Sequence, residues 1–446
     1  MRNVLRVASV ASMALSTVLT VLVFSGRTLA VDPIDTEPIN YSSGSVNDAV
    51  SQLQQRIDAG QAKLTYDKRL GYLPAVLKQL GISATSQTLV FSKTSFQQRH
   101  ISPQRPRALY FNDEAYVGWV RGATKLEISA VDPQKGAVFY TISQRDPQQA
   151  RFVRHTHECL QCHTSSLTQG VPGHLVRSVY PDAKGYPILG AGTFRTDHTS
   201  PLDERWGGWY VTGQHGGQRH MGNVLLEDEE HPESLPKDAG ANVVDLEEFC
   251  DTSSYLSPHS DIVALMVLEH QTQMHNRITA ANYATRRAQF HSRIMNSMLE
   301  RPADELSESA LRRIRSASER LVRYMLFVDE ATLTDPISGT SGFAEEFVAP
   351  GPFDAQGRSL RTLDLQGRLF RYPCSYLIYS AAFDALPPVA KEQVYRRLHE
   401  ILTGSEQSED FGHLSPEDRR ALLEILTSTK PELVVVWKQL GLTTAQ

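Results

Sequence analysis

Ala108-Leu109-Tyr110-Phe111, then Asn112-Asp113-Glu114, then Tyr116-Val117-Gly118-Trp119-Val120: two runs rich in aromatic and β-branched residues flank a polar turn. A second set comes at once after it. Leu126-Glu127-Ile128-Ser129-Ala130-Val131 and Ala137-Val138-Phe139-Tyr140-Thr141-Ile142 flank Asp132-Pro133-Gln134-Lys135-Gly136. Side chains of this kind pack well on a pleated surface, and the residues between them reverse the chain, so the spacing predicts two successive β-hairpins. Strand character begins at Leu89 and gives way at Arg145 to a loop-rich stretch, 145–222, with short strand-like runs such as Trp209-Tyr210-Val211.

Outside that centre the period changes to that of helices. Towards the N-terminus, Ser45 followed by Asp48 reads as a capping-box variant. Val46, Val50, Leu53 and Ile57 then recur at helical spacing, with Gly60 as a stop. Residues 74–80 form a second short helix ended by Gly81. Towards the C-terminus, an acidic linker at 227–230 precedes Ser260-Asp261, which caps a long helix from Ile262 towards Leu299. Leu311, Ile314, Leu321, Met325 and Val328 trace the apolar face of another. Residues 394–402 are stopped by Gly404, and a last helix has Ser415 as N-cap with Pro416 at its first position. The expected fold class is α+β: a helical N-terminal part, a β-hairpin-rich middle and a helical C-terminal part. The regions divide as 1–30, 31–104, 105–250 and 251–446, the last two able to form one compact unit.

Composition narrows the function classes. Hydrophobic residues make up 41% and charged residues 21% of the 446, values of an ordinary globular chain and not of a disordered or coiled-coil one. Lys+Arg 45 against Asp+Glu 50 leaves a net charge of −5, which argues against a general nucleic-acid binder. Residues 1–30 hold Arg2, Arg6 and Arg27 and no acid, so the acidic surplus is larger in the remainder. Arg2 and Arg6, the uncharged apolar stretch 7–24 and the small residue of Thr28-Leu29-Ala30 together read as a secretory signal peptide cut after Ala30. An uncleaved N-terminal anchor is the alternative, because the stretch is near spanning length. The longest later apolar run, 262–268, is too short to span a bilayer, so an exported, periplasmic protein with no membrane span after cleavage is expected.

Cys159-Leu160-Gln161-Cys162-His163 is the C-x-x-C-H pattern of c-type haem attachment. Two thiols add across the two vinyl groups of one haem, so they must reach the same edge of the porphyrin. The adjacent His163 then supplies the proximal nitrogen to iron. With 4 Cys and 15 His among 446 residues, coincidence has a chance on the order of 0.001. A structural zinc site would want a second Cys or His pair at fitting spacing, and the chain has no second C-x-x-C. A redox dithiol would not need His163.

On Cys159, Cys162 and His163 the chain resembles the c-type cytochromes. The resemblance is local to the motif and its surroundings, which are similar to those of larger exported bacterial proteins with one haem. It implies one covalent haem c, iron held by His163, and electron transfer with a redox partner protein. The chain departs from small cytochromes c in two ways: the motif lies deep in the sequence, and strands precede it.

Met221, His220, His270 and Met266 compete for the far side of the iron. Gly213-Gln214-His215-Gly216-Gly217-Gln218-Arg219-His220-Met221-Gly222 is a Gly-rich loop carrying Met221 and His220. Met221 comes after His163 at a reach similar to that of the Met-bearing loop of many small cytochromes c. Methionine would raise the reduction potential and a second histidine would lower it. On the long helix Met266, His270 and Met274 share one face, and the polar run 269–276 needs buried partners such as a haem propionate. Met221 is the first candidate, with His220 and His270 as alternatives; a surface turn and ordinary core filler are the bland readings of the same residues. Cys250 and Cys374 are free to pair in an oxidising compartment, and the sequence leaves both states open.

The leading expectation is an exported single-haem carrier whose acidic surplus suits a basic patch on its partner. The alternative is a haem enzyme, peroxidase- or oxygenase-like, or a haem sensor, with an open sixth iron position. The size of the chain favours that alternative, and the absence of a recognisable acid–base pair weighs against it.

Overall fold

A computed structural model describes residues 33–442 apart from 146, 148 and 149. The expected signal segment and its cleavage site lie outside the described residues.

The strands are β1 (Thr88–Val90), β2 (Arg107–Phe111), β3 (Ala115–Trp119), β4 (Lys125–Asp132), β5 (Gly136–Ser143), β6 (Phe152–His155), β7 (Arg177–Val179), β8 (Thr193–Arg195) and β9 (Trp209–Tyr210). The helices are α1 (Ala49–Asp58), α2 (Leu73–Leu80), α3 (Leu160–His163), α4 (Ile262–Met298), α5 (Glu308–Met325), α6 (Phe343–Val348), α7 (Ala381–Asp384), α8 (Pro388–Leu402), α9 (Pro416–Thr429) and α10 (Pro431–Gln439). The fold class is α+β, with helices before and after an antiparallel sheet of order β6-β5-β4-β3-β2-β1-β9.

Both expected hairpins are present and join into a meander that β6 extends. The other edge is closed by β9, which pairs antiparallel with β1 through Leu89 opposite Tyr210. One boundary moves. The cap of α1 is Asp48, whose carboxylate accepts from Val50 N and Ser51 N while the Ser51 hydroxyl serves the Asp48 backbone. Ser45 has no part in it. Tyr140 Oη also donates to Asp48, 2.6 Å away, which draws that helix start onto the sheet. At the other end, Gly81 closes α2 in the left-handed conformation expected of it.

Strand alternation sorts the sheet into two faces. Leu126, Ile128, Val138, Tyr140 and Val117 face α1 and α2 and share a core with Leu53, Leu73 and Val76. Phe111, Tyr116 and Val131 face the other way, into the larger core built on α4, α5 and α8. The 37-residue α4 starts at Asp261, whose carboxylate caps Val263 N and Ala264 N, and crosses this second face. Its first turns are apolar all round because they are buried on every side.

Cys250 and Cys374 do not pair. Both are free and buried, Cys250 in the core under α1 and α2 and Cys374 in the helical core on the other side of the sheet.

Candidate haem-attachment site

One register row of the sheet builds the floor of the site. Tyr116 lies opposite Ser129, Ser129 opposite Phe139, and Phe139 opposite His155. Being cross-strand neighbours, the four side chains stand on one face, the face that α4 crosses. Tyr116 puts its ring 4.1 Å from that of His174, and the Ser129 hydroxyl is hydrogen-bonded to His174 Nε2 at 2.9 Å. Phe139 stands 4.7 Å from the His163 ring. His155 reaches Thr141 through Nε2 and Glu158 through Nδ1, which ties the end of β6 to the start of the motif.

The motif itself is a single helical turn. His163 N donates to Cys159 O at 3.0 Å, so both cysteines and the histidine ride on one turn. Leu160 anchors it, buried with Phe139, Val171 and Tyr283. Both thiols are free; Cys162 is exposed and Cys159 half-buried. Burial, followed by the nearby Glu127 and Glu158 charges, pushes the Cys159 thiol up to about 11.

The loop at Gly173 orients His163. The imidazole Nδ1–H donates to Gly173 O at 2.9 Å, and Gly173 N returns a hydrogen bond to His163 O at 2.9 Å. That fixes the proton on Nδ1 and leaves the Nε2 lone pair for another acid. Nε2 has no hydrogen-bond partner among the described residues. Burial holds the imidazole below its ordinary value, with the Gly173 carbonyl opposing the shift, so it is neutral at pH 7. Two free thiols on one turn beside a neutral, correctly tautomerised imidazole fit a c-type haem. Cys159 and Cys162 would hold its vinyl carbons and His163 its iron. Among the described residues no group of three or more His, Cys, Asp or Glu is placed to hold a metal ion on its own.

The expected distal candidates lie in three other surroundings. Met221 is buried among Val224, Leu226 and Leu235, and its sulfur accepts from Ser178 Oγ at 3.6 Å. His220 packs edge-on to Trp206 and beside His215, and its Nδ1 accepts from Gly222 N at 3.0 Å. His270 is clasped in the helical core, Nδ1 to His198 Nδ1 at 2.8 Å and Nε2 to Ser375 Oγ at 2.8 Å. Met266 and Met274 are core residues there too. The structure brings Cys159, Cys162 and His163 together and gives each of the other three separate partners.

The polar run on α4 also finds its partners within the protein. Gln271 bridges two buried phenols, donating to Tyr116 Oη at 2.7 Å and accepting from Tyr376 Oη at 2.5 Å. His275 Nε2–H donates to Asp113 O, and Asn276 holds the backbone of His174. Phe139, Gly173 and His174 were not singled out by sequence reasoning, and Asn276 only as the end of the polar run 269–276. The signal for them was Val171-Pro172-Gly173-His174 close after the motif, together with polar residues on a helix that begins apolar.

No family model, no curated protein and no solved structure matches the chain.

Proposed function

We propose that this protein is an exported single-haem c-type cytochrome that passes electrons to or from a redox partner protein. The observation that carries the reading is the tautomer lock on His163. A histidine placed one residue after the second thiol, with Nδ1–H on the Gly173 carbonyl and Nε2 unpartnered, is prepared as a metal ligand. The covalent group would supply a reversible one-electron change at iron. Around it the chain contributes the thiols of Cys159 and Cys162, the Phe139 wall and the fixed imidazole. The acidic surplus suits a partner with a basic patch. Among the described residues no helix is long and apolar enough to cross a membrane.

The test is covalent attachment. Produced in a host with periplasmic haem-attachment machinery, the protein is expected to be red and to keep its haem through denaturation and acid–acetone extraction. Extractable haem, or none, overturns the reading. Replacing Cys159 and Cys162 together by Ala abolishes attachment, since no other cysteine pair has the spacing.

A haem enzyme or sensor with an open sixth position is the second reading. The observation favouring it is the separate engagement of Met221, His220 and His270. Carbon monoxide divides the two: rapid binding to the reduced protein favours the open site, and no binding favours the carrier.

A further inference from the structure

The segment that orients His163 is itself gripped from two sides. Pro172 O accepts from Ala137 N on β5 at 3.1 Å. Gly173 exchanges both of its backbone polar groups with His163. His174 N donates to Asn276 Oδ1 at 2.9 Å, and Asn276 Nδ2 donates to His174 O at 2.8 Å. The remaining hydrogen of that amide goes to Gln273 Oε1 at 3.1 Å. Asn276 therefore uses its acceptor and both donors, and it is 1% exposed. The fit is tight. A Cβ on Gly173 would lie 2.2 Å from Asn276 Oδ1, against 3.1 Å from Thr168 Cβ.

We infer that Asn276, on α4, is the positioning residue for the proximal iron ligand. By clasping the His174 backbone it fixes where the Gly173 carbonyl stands, and so how strongly His163 Nδ1–H is held. This rests on the haem reading of Cys159, Cys162 and His163. A hydrogen bond from the far ring nitrogen to a carbonyl makes the ligating nitrogen more basic, which favours the oxidised metal. Loosening the clasp weakens that bond and raises the reduction potential. The link also makes the long helix of the C-terminal region part of the redox site, although the motif lies in the β-rich region.

The experiment is potentiometric titration of the purified holoprotein beside Asn276→Ala, Asn276→Ser and a control. The control is Asn296→Ala, a buried asparagine farther along α4 that holds Pro302 O and Glu305 O and has no tie to the motif. Asn276→Ala is expected to raise the midpoint potential and to speed amide exchange in the peptide spanning 171–176 by tenfold or more. Asn296→Ala is expected to change neither. Asn276→Ser also loses the reach to His174 and decides the question with the same criteria where the Ala variant does not fold. Gly173→Ala should raise the potential too, and less so in the Asn276→Ala background, where the clash is gone. A folded Asn276 variant with covalent haem, unchanged potential and unchanged exchange overturns the positioning role. Absence of covalent haem from the unmodified protein overturns the haem reading itself.

Discussion

His198 and His270 meet in the interior Nδ1 to Nδ1 at 2.8 Å, each stacked on Tyr324 and Phe327. Only one of the two nitrogens can carry the shared proton. If His198 donates, His270 keeps Nε2–H for Ser375 Oγ, and the group left unpartnered is the lone pair of His198 Nε2. That costs less than an unpartnered buried donor of the opposite tautomers. A further proton would put N–H against N–H, and among the described residues no acid is hydrogen-bonded to either ring to offset it.

Stability is therefore expected to fall on acidification. Burial holds His174, His198 and His270 well below 6.5, His275 at about 4 and His220 at about 3. Below pH 6.5 the unfolded chain binds protons at these sites and the folded chain does not, so stability is lost as pH drops. Glu269 and Glu330, raised by burial from 4.5 to about 7, act the other way between those values, but they are outnumbered. Each uncompensated proton is worth about 1.4 kcal/mol per pH unit. Thermal midpoints at pH 7.5, 6.5 and 5.5 should decline in that order; a flat or rising series would show that the buried histidines do not outweigh Glu269 and Glu330.

Gln271 is the second point of attack. Its amide satisfies the phenols of Tyr116 and Tyr376 and the carbonyl of Asn112, all in the interface between α4 and the sheet. Gln271→Leu keeps the volume and removes all three bonds. Unpaired buried polar groups cost about 1–3 kcal/mol each, so a loss of about 3 kcal/mol or more is expected in denaturant unfolding. A loss under about 1 kcal/mol would mean that the phenols find other partners.

These anchors also show where sequence reading stopped. The hairpins were legible because their turns, Asn112-Asp113-Glu114 and 132–136, are local and the runs beside them are rich in aromatic and β-branched residues. The α4 helix was legible from its cap and its apolar first turns. The closing pair of the sheet, Leu89 with Tyr210, joins residues far apart in sequence, and no local pattern records such pairing. β6 was missed because Phe152-Val153-Arg154-His155 shows only one buried side chain and looks like loop. The C-x-x-C-H pattern stands in the sequence itself, as five consecutive residues on one helical turn. The surroundings of Met221, His220 and His270 could not be read: each is a good ligand by type, and only folding decides which partners they keep.

His163→Ala should leave both thiols on their turn while removing the nitrogen that Phe139 and Gly173 hold in place. A low yield of holoprotein and an altered iron spin state are expected. Phe139→Ala should keep the ligand but open its wall and destabilise the fold by about 3–5 kcal/mol. Wild-type yield and spectra from His163→Ala would show that another residue is the proximal ligand.

Thiol counting tests the separation of Cys250 and Cys374 directly. The two lie in cores on opposite faces of the sheet, and burial pushes the Cys250 thiol up to about 11 and the Cys374 thiol up to about 12. Both are therefore protonated and shielded in the native state, and a thiol reagent at pH 8 should react with neither on mixing. In denaturant, without reductant, holoprotein should release two titratable thiols, because Cys159 and Cys162 are then held as thioethers. Finding none would mean that Cys250 and Cys374 are bridged, which would require the sheet between them to open. Finding four would mean that haem is not covalently attached, so one titration checks both the fold and the site.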